Sequence, residues 1–206
     1  IAFNIKPSKE AKNLAENYKM KINYFNVIYE VLDFGISIAD SKGRMVAEAA
    51  GITSFIGAND YALKTLLEKL DLNSLRPGDV VMLNYPYWNS AHASDALLMS
   101  PVFIDNKDID MFLCVRAHWL DLGAKDAGYV IDSTDIHQEG IIIPGVRIIK
   151  EGKLDEDLWK VLTFNSRLPE AIEGDFGAQV ACLRTGERCL KEIFSKFGKS
   201  KVLDAI

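Results

Sequence analysis

Two His-x-x-Asp pairs concentrate the chemical potential of this sequence. His92 and His118 are each followed three residues later by an aspartate, Asp95 and Asp121, and the chain has one other histidine, His137. Imidazole and carboxylate are donors that Mn, Fe and Zn ions accept, and they also move protons in catalysis. Between the two pairs, residues 96–104 and 109–115 are apolar runs separated by Asp105-Asn106-Lys107-Asp108. That pattern predicts two buried strands joined by a polar turn. Such a hairpin returns the chain to its starting point, so His92, Asp95, His118 and Asp121 converge at one end of a sheet. A hydrogen-bonded structural role is the alternative for each histidine. Two further catalytic candidates stand beside them. Asp121 reads as another ligand or as the acceptor that sets the tautomer of a ligating histidine. Arg116 reads as a binder of carboxylate or phosphate, or as half of a structural ion pair. Trp119 is core packing or a pocket wall, Cys114 is buried filler, and His137 is a surface residue.

The surrounding elements must hold these residues in place. Residues 8–31 carry apolar positions at three- and four-residue spacing after Pro7-Ser8, which predicts an amphipathic helix. Residues 32–39 and 45–50 read as strands around the turn Asp40-Ser41-Lys42-Gly43-Arg44. A loop over 51–57 leads to a helix over 58–70, and Arg76-Pro77-Gly78-Asp79 turns the chain into a strand over 80–83. Residues 123–139 show no sustained period, and a loop of that length inside a compact domain is more often functional than idle. The strand expected over 140–149 contains Pro144, which assigns it to an edge or a bend, and Lys150-Glu151-Gly152-Lys153 reads as a turn. Two helices follow, one from 155 to near Pro169 and a long one over 171–197 stopped by Gly198. The expected class is α+β in a single domain: a mixed, β-rich core with hairpins and two helices over 1–153, then a helical extension over 154–206.

With 206 residues, 49% of them hydrophobic, the chain can bury a substantial core. Its formal charge of -5 and the lack of a Lys/Arg cluster argue against nucleic acid. The longest apolar runs are about nine residues, roughly half of what a bilayer-spanning helix needs, so no membrane association is expected. Three cysteines without a Cys-x-x-Cys pattern suit a reducing cytoplasm. Neither standard phosphate-cradling glycine motif is present. A start at Ile1 instead of a methionine suggests a portion of a longer protein.

Several motifs in one order carry a resemblance: Glu30-x-Leu32-Asp33-Phe34, Asp40-x-x-Gly43-Arg44, Asn84-Tyr85-Pro86-Tyr87, His92-Ala93-Ser94-Asp95, Arg116-Ala117-His118-Trp119-x-Asp121-x-Gly123, Gln138-Glu139-Gly140-Ile141-x-Ile143-Pro144, and Asn165-x-Arg167-x-Pro169 through Gly174-Asp175-x-x-Ala178-Gln179. Together they resemble the hydantoinase B/oxoprolinase family, which is related to the large subunits of acetone and acetophenone carboxylases. The family usually has Asn-Asp-Pro-Tyr where Tyr85 stands, glycines at Asn89 and Ser90, and proline at Ser94. The resemblance implies a divalent metal (Mn, Fe or Zn) held by Glu30, His92, Asp95 and His118, with Asp33 the competitor of Glu30. It implies a cyclic amide or a ketone as substrate, and ATP with Mg on a hydantoinase A-like partner subunit of a hetero-oligomer. The expected activity is ATP-dependent hydrolysis of a cyclic amide. Ketone carboxylation and a non-catalytic structural subunit are the alternatives.

Overall fold

The computed structural model describes residues 33–49, 51–128 and 130–206. The helix expected over 8–31, and Glu30 within it, lie outside the described residues. Seven strands form one sheet: β1 Phe34–Asp40, β2 Met45–Glu48, β3 Val80–Leu83, β4 Asp95–Val102, β5 Met111–His118, β6 Pro144–Lys150 and β7 Lys153–Leu154. Their spatial order is β2-β1-β5-β4-β3-β6-β7, and every neighbouring pair is antiparallel. The helices are α1 Thr53–Lys69, α2 Pro86–Asn89, α3 Glu156–Phe164, α4 Pro169–Phe197 and α5 Lys199–Asp204. The α+β class is as expected, and none of the described helices is long and apolar enough to cross a membrane.

The central strands are mostly apolar because both faces of the sheet are covered. Alternation sends Val81, Leu97, Met99, Phe112 and Cys114 to the face where α1 contributes Ala62, Leu63 and Leu66. Met82, Leu98, Leu113, Val115 and Ala117 face the other way, against Ile172, Phe176, Leu183, Leu190 and Phe194 of α4. The spacing of those α4 residues is that of one helical stripe. Proline at the first helical position starts α4 and Gly198, at φ 84°, stops it.

The boundaries moved where polar residues sit inside elements. β4 begins at Asp95 and β5 runs through Arg116 to His118, whereas apolar run length alone places the strands at 96–104 and 109–115. Helix α1 starts at Thr53 and not at 58. Phe55 is buried there, and its Cβ lies 2.7 Å from where a Cβ on Gly35 would stand, so packing on β1 overrides the weak helix propensity of Gly57. Pro144 occupies the first position of β6, a place where a missing N–H does least harm to a sheet. Lys153, expected in a turn, joins Leu154 in an edge strand that pairs with Ile149 and Lys150.

One side chain ties α4 to the sheet. Gln179 is fully buried; it accepts a hydrogen bond from Trp119 Nε1 at 2.7 Å and donates through Nε2 to the carbonyls of Ala96 and Val115, both at 2.9 Å. Truncation strands three buried polar groups and leaves a cavity. Gln179→Ala is expected to lose about 2–4 kcal/mol of stability, read as a lower urea midpoint with an unchanged slope.

Candidate functional site

The site is built on the hairpin end where β4 begins and β5 finishes. Antiparallel register sets Asp95 directly opposite His118, and both side chains stand on the α1 face of the sheet by alternation. His118 Nδ1 lies 2.8 Å from Asp95 Oδ1; with a carboxylate as partner, the ring nitrogen is the donor. Both residues are buried, at 2% and 4% exposure. Asp95 Oδ2 accepts from the backbone N–H of His92 at 3.0 Å, and the N–H of Asp95 returns to the His92 carbonyl at 3.1 Å. That reciprocal pair closes the His92–Asp95 turn and brings the exposed His92 ring to 6.5 Å from that of His118, centroid to centroid.

Short polar anchors hold the turn. Asn89 donates from Nδ2 to the Asp95 carbonyl at 2.7 Å. The next residue, Ser90, closes α2 in the left-handed conformation, φ 54°, a backbone that glycine adopts without steric cost. Asn84 is fully buried and spans two segments: its Nδ2 donates to the carbonyls of Ala93 and Ile141 at 2.7 and 2.8 Å, and its Oδ1 accepts from Ile143 N at 2.6 Å. Asp33 begins the described chain beside β1 and is 3% exposed, and its carbonyl accepts from the His118 backbone N–H at 3.2 Å.

His92, Asp95 and His118 are therefore brought together as expected, and the other two candidates have different work. Asp121 does not receive a histidine ring proton. Its side chain is fully buried and takes Gly123 N at 3.0 Å, Arg167 N at 2.6 Å and Arg167 Nη1 at 3.2 Å. Arg167 goes on to donate to the carbonyls of Ala124 and Lys125, so Asp121 fastens the long loop to the start of α4. Arg116 is likewise withdrawn from solvent: its Nε donates to Asn59 Oδ1 at 2.9 Å, its Nη2 to the Ala58 carbonyl at 3.1 Å, and its guanidinium lies 5.5 Å from the Phe55 ring centroid. Burial pulls its pKa down to about 10, against the opposing pull of the neighbouring Asp95 charge, so it remains a cation at neutral pH. Neutral acceptors on α1 hold it. Trp119 is core, as is Cys114, whose thiol burial pushes up to about 12.

Metal chemistry asks for three or more converging donors. The donors fit in kind, two imidazoles and a carboxylate, at one end of the sheet. As arranged, Asp95 engages His118 with one oxygen and a backbone N–H with the other, and among the described residues no three His, Cys, Asp or Glu side chains form a ready cage. An ion here takes a further donor besides these three; Asp33 is buried next to β1, with its carbonyl on the His118 N–H, and Glu30 lies outside the described residues.

A residue that spacing alone did not single out stands over the same strand end. Asp175 of α4 is 2% exposed, and burial pushes its carboxyl up to about 7, with the charge of His118 pulling it back. Its apolar neighbours on α4 could have flagged it as a carboxylate inside a buried stripe. Beside His92, a cavity of about 260 Å³ is lined by His92, Ser94, Gly128, Val130, Ile131 and Glu139. It draws one wall from the His92 turn and the other from the long loop, while His137 of that loop is exposed.

The sequence profile of the hydantoinase B/oxoprolinase family matches residues 18–206, and the chain belongs to that family. A putative D-/L-hydantoinase B-type subunit of Pseudomonas sp. (strain NS671) is 29% identical over 188 residues, covering 88% of this chain and 31% of that protein. The crystal structure of an ATP-dependent caprolactamase from Pseudomonas jessenii superposes with a TM-score of 0.77 at 28% identity, over 82% of this chain and 29% of that one. A nucleotide-free acetone carboxylase has the same fold, with a TM-score of 0.81 at 15% identity, over 86% of this chain and 24% of that one. The chain spans about a third of the length of the hydantoinase subunit and only 10–13% of the length of matched 5-oxoprolinases.

The buried Asp175 carboxyl yields a pH prediction for the metal-free protein. Because its folded pKa lies above its unfolded value of 3.8, its contribution to stability is complete at low pH and is lost as pH rises from about 4 towards 7. Asp175→Asn removes that dependence. Wild-type stability relative to the variant is expected to fall by a few kcal/mol across this window and stay flat above it, as checked by urea titrations at each pH.

Proposed function

We propose that the chain is the N-terminal portion of a subunit of an ATP-dependent cyclic-amide hydrolase of the hydantoinase/5-oxoprolinase type. The observation that carries the reading is the buried cross-strand Asp95–His118 pair with His92 drawn onto the same carboxylate, in a chain whose family includes a named caprolactamase and a named hydantoinase subunit. In this reading His92, Asp95 and His118 hold a divalent Mn, Fe or Zn ion, completed by Glu30 or by its competitor Asp33. Such an ion supplies Lewis-acid stabilisation of a developing oxyanion or activation of water. Arg116 and Asp121 act at one remove. Arg116 places a fixed positive charge beside Asp95, and Asp121 holds the loop that faces His92.

The chain has no glycine-rich nucleotide loop, so ATP with Mg is assigned to a hydantoinase A-like partner in a cytoplasmic hetero-oligomer. Two relatives, the hydantoinase protein of Pseudomonas sp. and a caprolactamase protein of Pseudomonas jessenii, are themselves named as single subunits of their enzymes, which supports that arrangement. The overall conversion opens the amide ring with water and consumes ATP.

Metal analysis of the full subunit should find close to one Mn, Fe or Zn per chain and little in a His92→Ala/His118→Ala variant that keeps its fold. With the ATP-binding partner present, the variant should lose more kcat/KM than the roughly 10- to 100-fold that follows removal of an outer partner of a metal ligand. Absence of metal from the wild-type complex would sink the metal assignment. A product from a ketone that depends on bicarbonate, in place of amide opening, would assign the carboxylase alternative.

A further inference from the structure

Glu139 has no part in the site as described so far, and the fold does not consume it. Its carboxylate is half-buried in the wall of the cavity next to His92. Among the described residues its hydrogen-bond partner is the Ser133 hydroxyl, at 2.8 Å from Oε1, and no cation pairs with it. Its backbone is held firmly. It ends a 3-10 turn, Ile136–Glu139, whose first N–H groups are capped by Asp135. The Gln138 carbonyl accepts from Lys125 N at 2.7 Å, and Ile141 N donates to the Leu122 carbonyl at 2.8 Å. Gly140 follows at φ 120°, where an added Cβ would meet the Leu122 carbonyl oxygen at 2.7 Å, so the chain turns there in a way that only glycine allows. Asn84 binds the Ala93 carbonyl on the His92 side and the Ile141 carbonyl on the Glu139 side, which fixes the two walls relative to one another.

The ligand that such a cavity takes can be read from its walls. A carboxylate only accepts hydrogen bonds, so its complement is an N–H or O–H donor. Val130 and Ile131 supply apolar surface beside it. The volume of about 260 Å³ is below the roughly 300–1,000 Å³ of pockets that enclose drug-sized ligands and suits a single small ring. A ring amide offers an apolar ring body with an N–H donor next to its carbonyl. A ketone offers no such donor.

We infer that Glu139 is a specificity-determining residue: its carboxylate accepts the ring N–H of a small cyclic amide bound in the cavity beside His92 and thereby selects unsubstituted ring amides over N-alkylated amides and ketones. The inference rests on the cyclic-amide reading and deepens it by naming the group that recognises the ring. A hydrogen bond to a charged acceptor accounts for about 10- to 100-fold in affinity.

The test uses the full-length subunit in complex with its ATP-binding partner, with hydantoin and 1,3-dimethylhydantoin as probes and two readouts: dissociation constants by titration calorimetry, and ATP-driven ring opening. Wild type is expected to bind hydantoin at least 10-fold more tightly than the dimethyl compound. Glu139→Ala should level the two, and Glu139→Gln, which keeps a neutral acceptor, should fall between them. Both variants should retain the wild-type melting temperature, because the side chain is only half-buried and its one hydrogen bond among the described residues is to the half-buried Ser133 hydroxyl. Equal binding of the two probes by wild type, or an undiminished preference in Glu139→Ala, overturns the inference. If ring opening by wild type is intact in that case, the hydrolase reading survives. A Glu139-dependent preference without any ring opening supports the ligand class and overturns the hydrolase reading instead.

Discussion

The register of β4 against β5 is the constraint on which the rest depends. Pairing Asp95 with His118 across the end of the hairpin puts a carboxylate and an imidazole within hydrogen-bond distance in a buried setting, where such a bond counts for more than it would in water. A slip of β4 by one residue would send Asp95 to the opposite face, into the apolar layer beneath α4, and part it from His118. The register is protected because both faces of these strands are buried: Leu97, Met99, Phe112 and Cys114 fit against α1, and Leu98, Leu113 and Val115 fit against α4. The hydrophobic layers thus fix the position of the polar pair.

Around that pair the molecule uses amides and carboxylates to secure backbone. Asn84, Asn89 and Gln179 are fully buried and each bonds backbone groups of a neighbouring segment. Asp121 and Arg167 do the same for the long loop. Arg116 joins α1 to β5 through Asn59 and the Ala58 carbonyl while leaving its charge beside Asp95. A half-satisfied buried network is costly, and these bonds to backbone groups are what make so many buried polar side chains at one end of a sheet tolerable.

The path from sequence to site was short for some residues and long for others. His92, Asp95 and His118 were legible from the repeated His-x-x-Asp spacing around a hairpin, because antiparallel strands of equal length bring their outer ends together. Asp121 shared that spacing and was assigned to the histidines, yet its partner Arg167 lies 46 residues away. Arg116 reads from the sequence as an anion binder or as half of a structural ion pair, and its burial is visible only with α1 laid over it. Strand ends at Asp95 and His118 were missed by apolar run length, since a sheet covered on both faces can bury polar residues where they have partners.

The sequence by itself determined the class of fold, the order of its elements, the family, and the histidine and aspartate residues that meet at the hairpin. Those depend on periodicity, caps and short-range spacing, which are local properties of the chain. Only the tertiary structure decided which carboxylate faces which ring, that Arg116 is enclosed while His92 is exposed, and that Glu139 shares a cavity with His92. Each of these depends on contacts between segments far apart in sequence, and the energy of a polar group is set by what the folded chain brings against it.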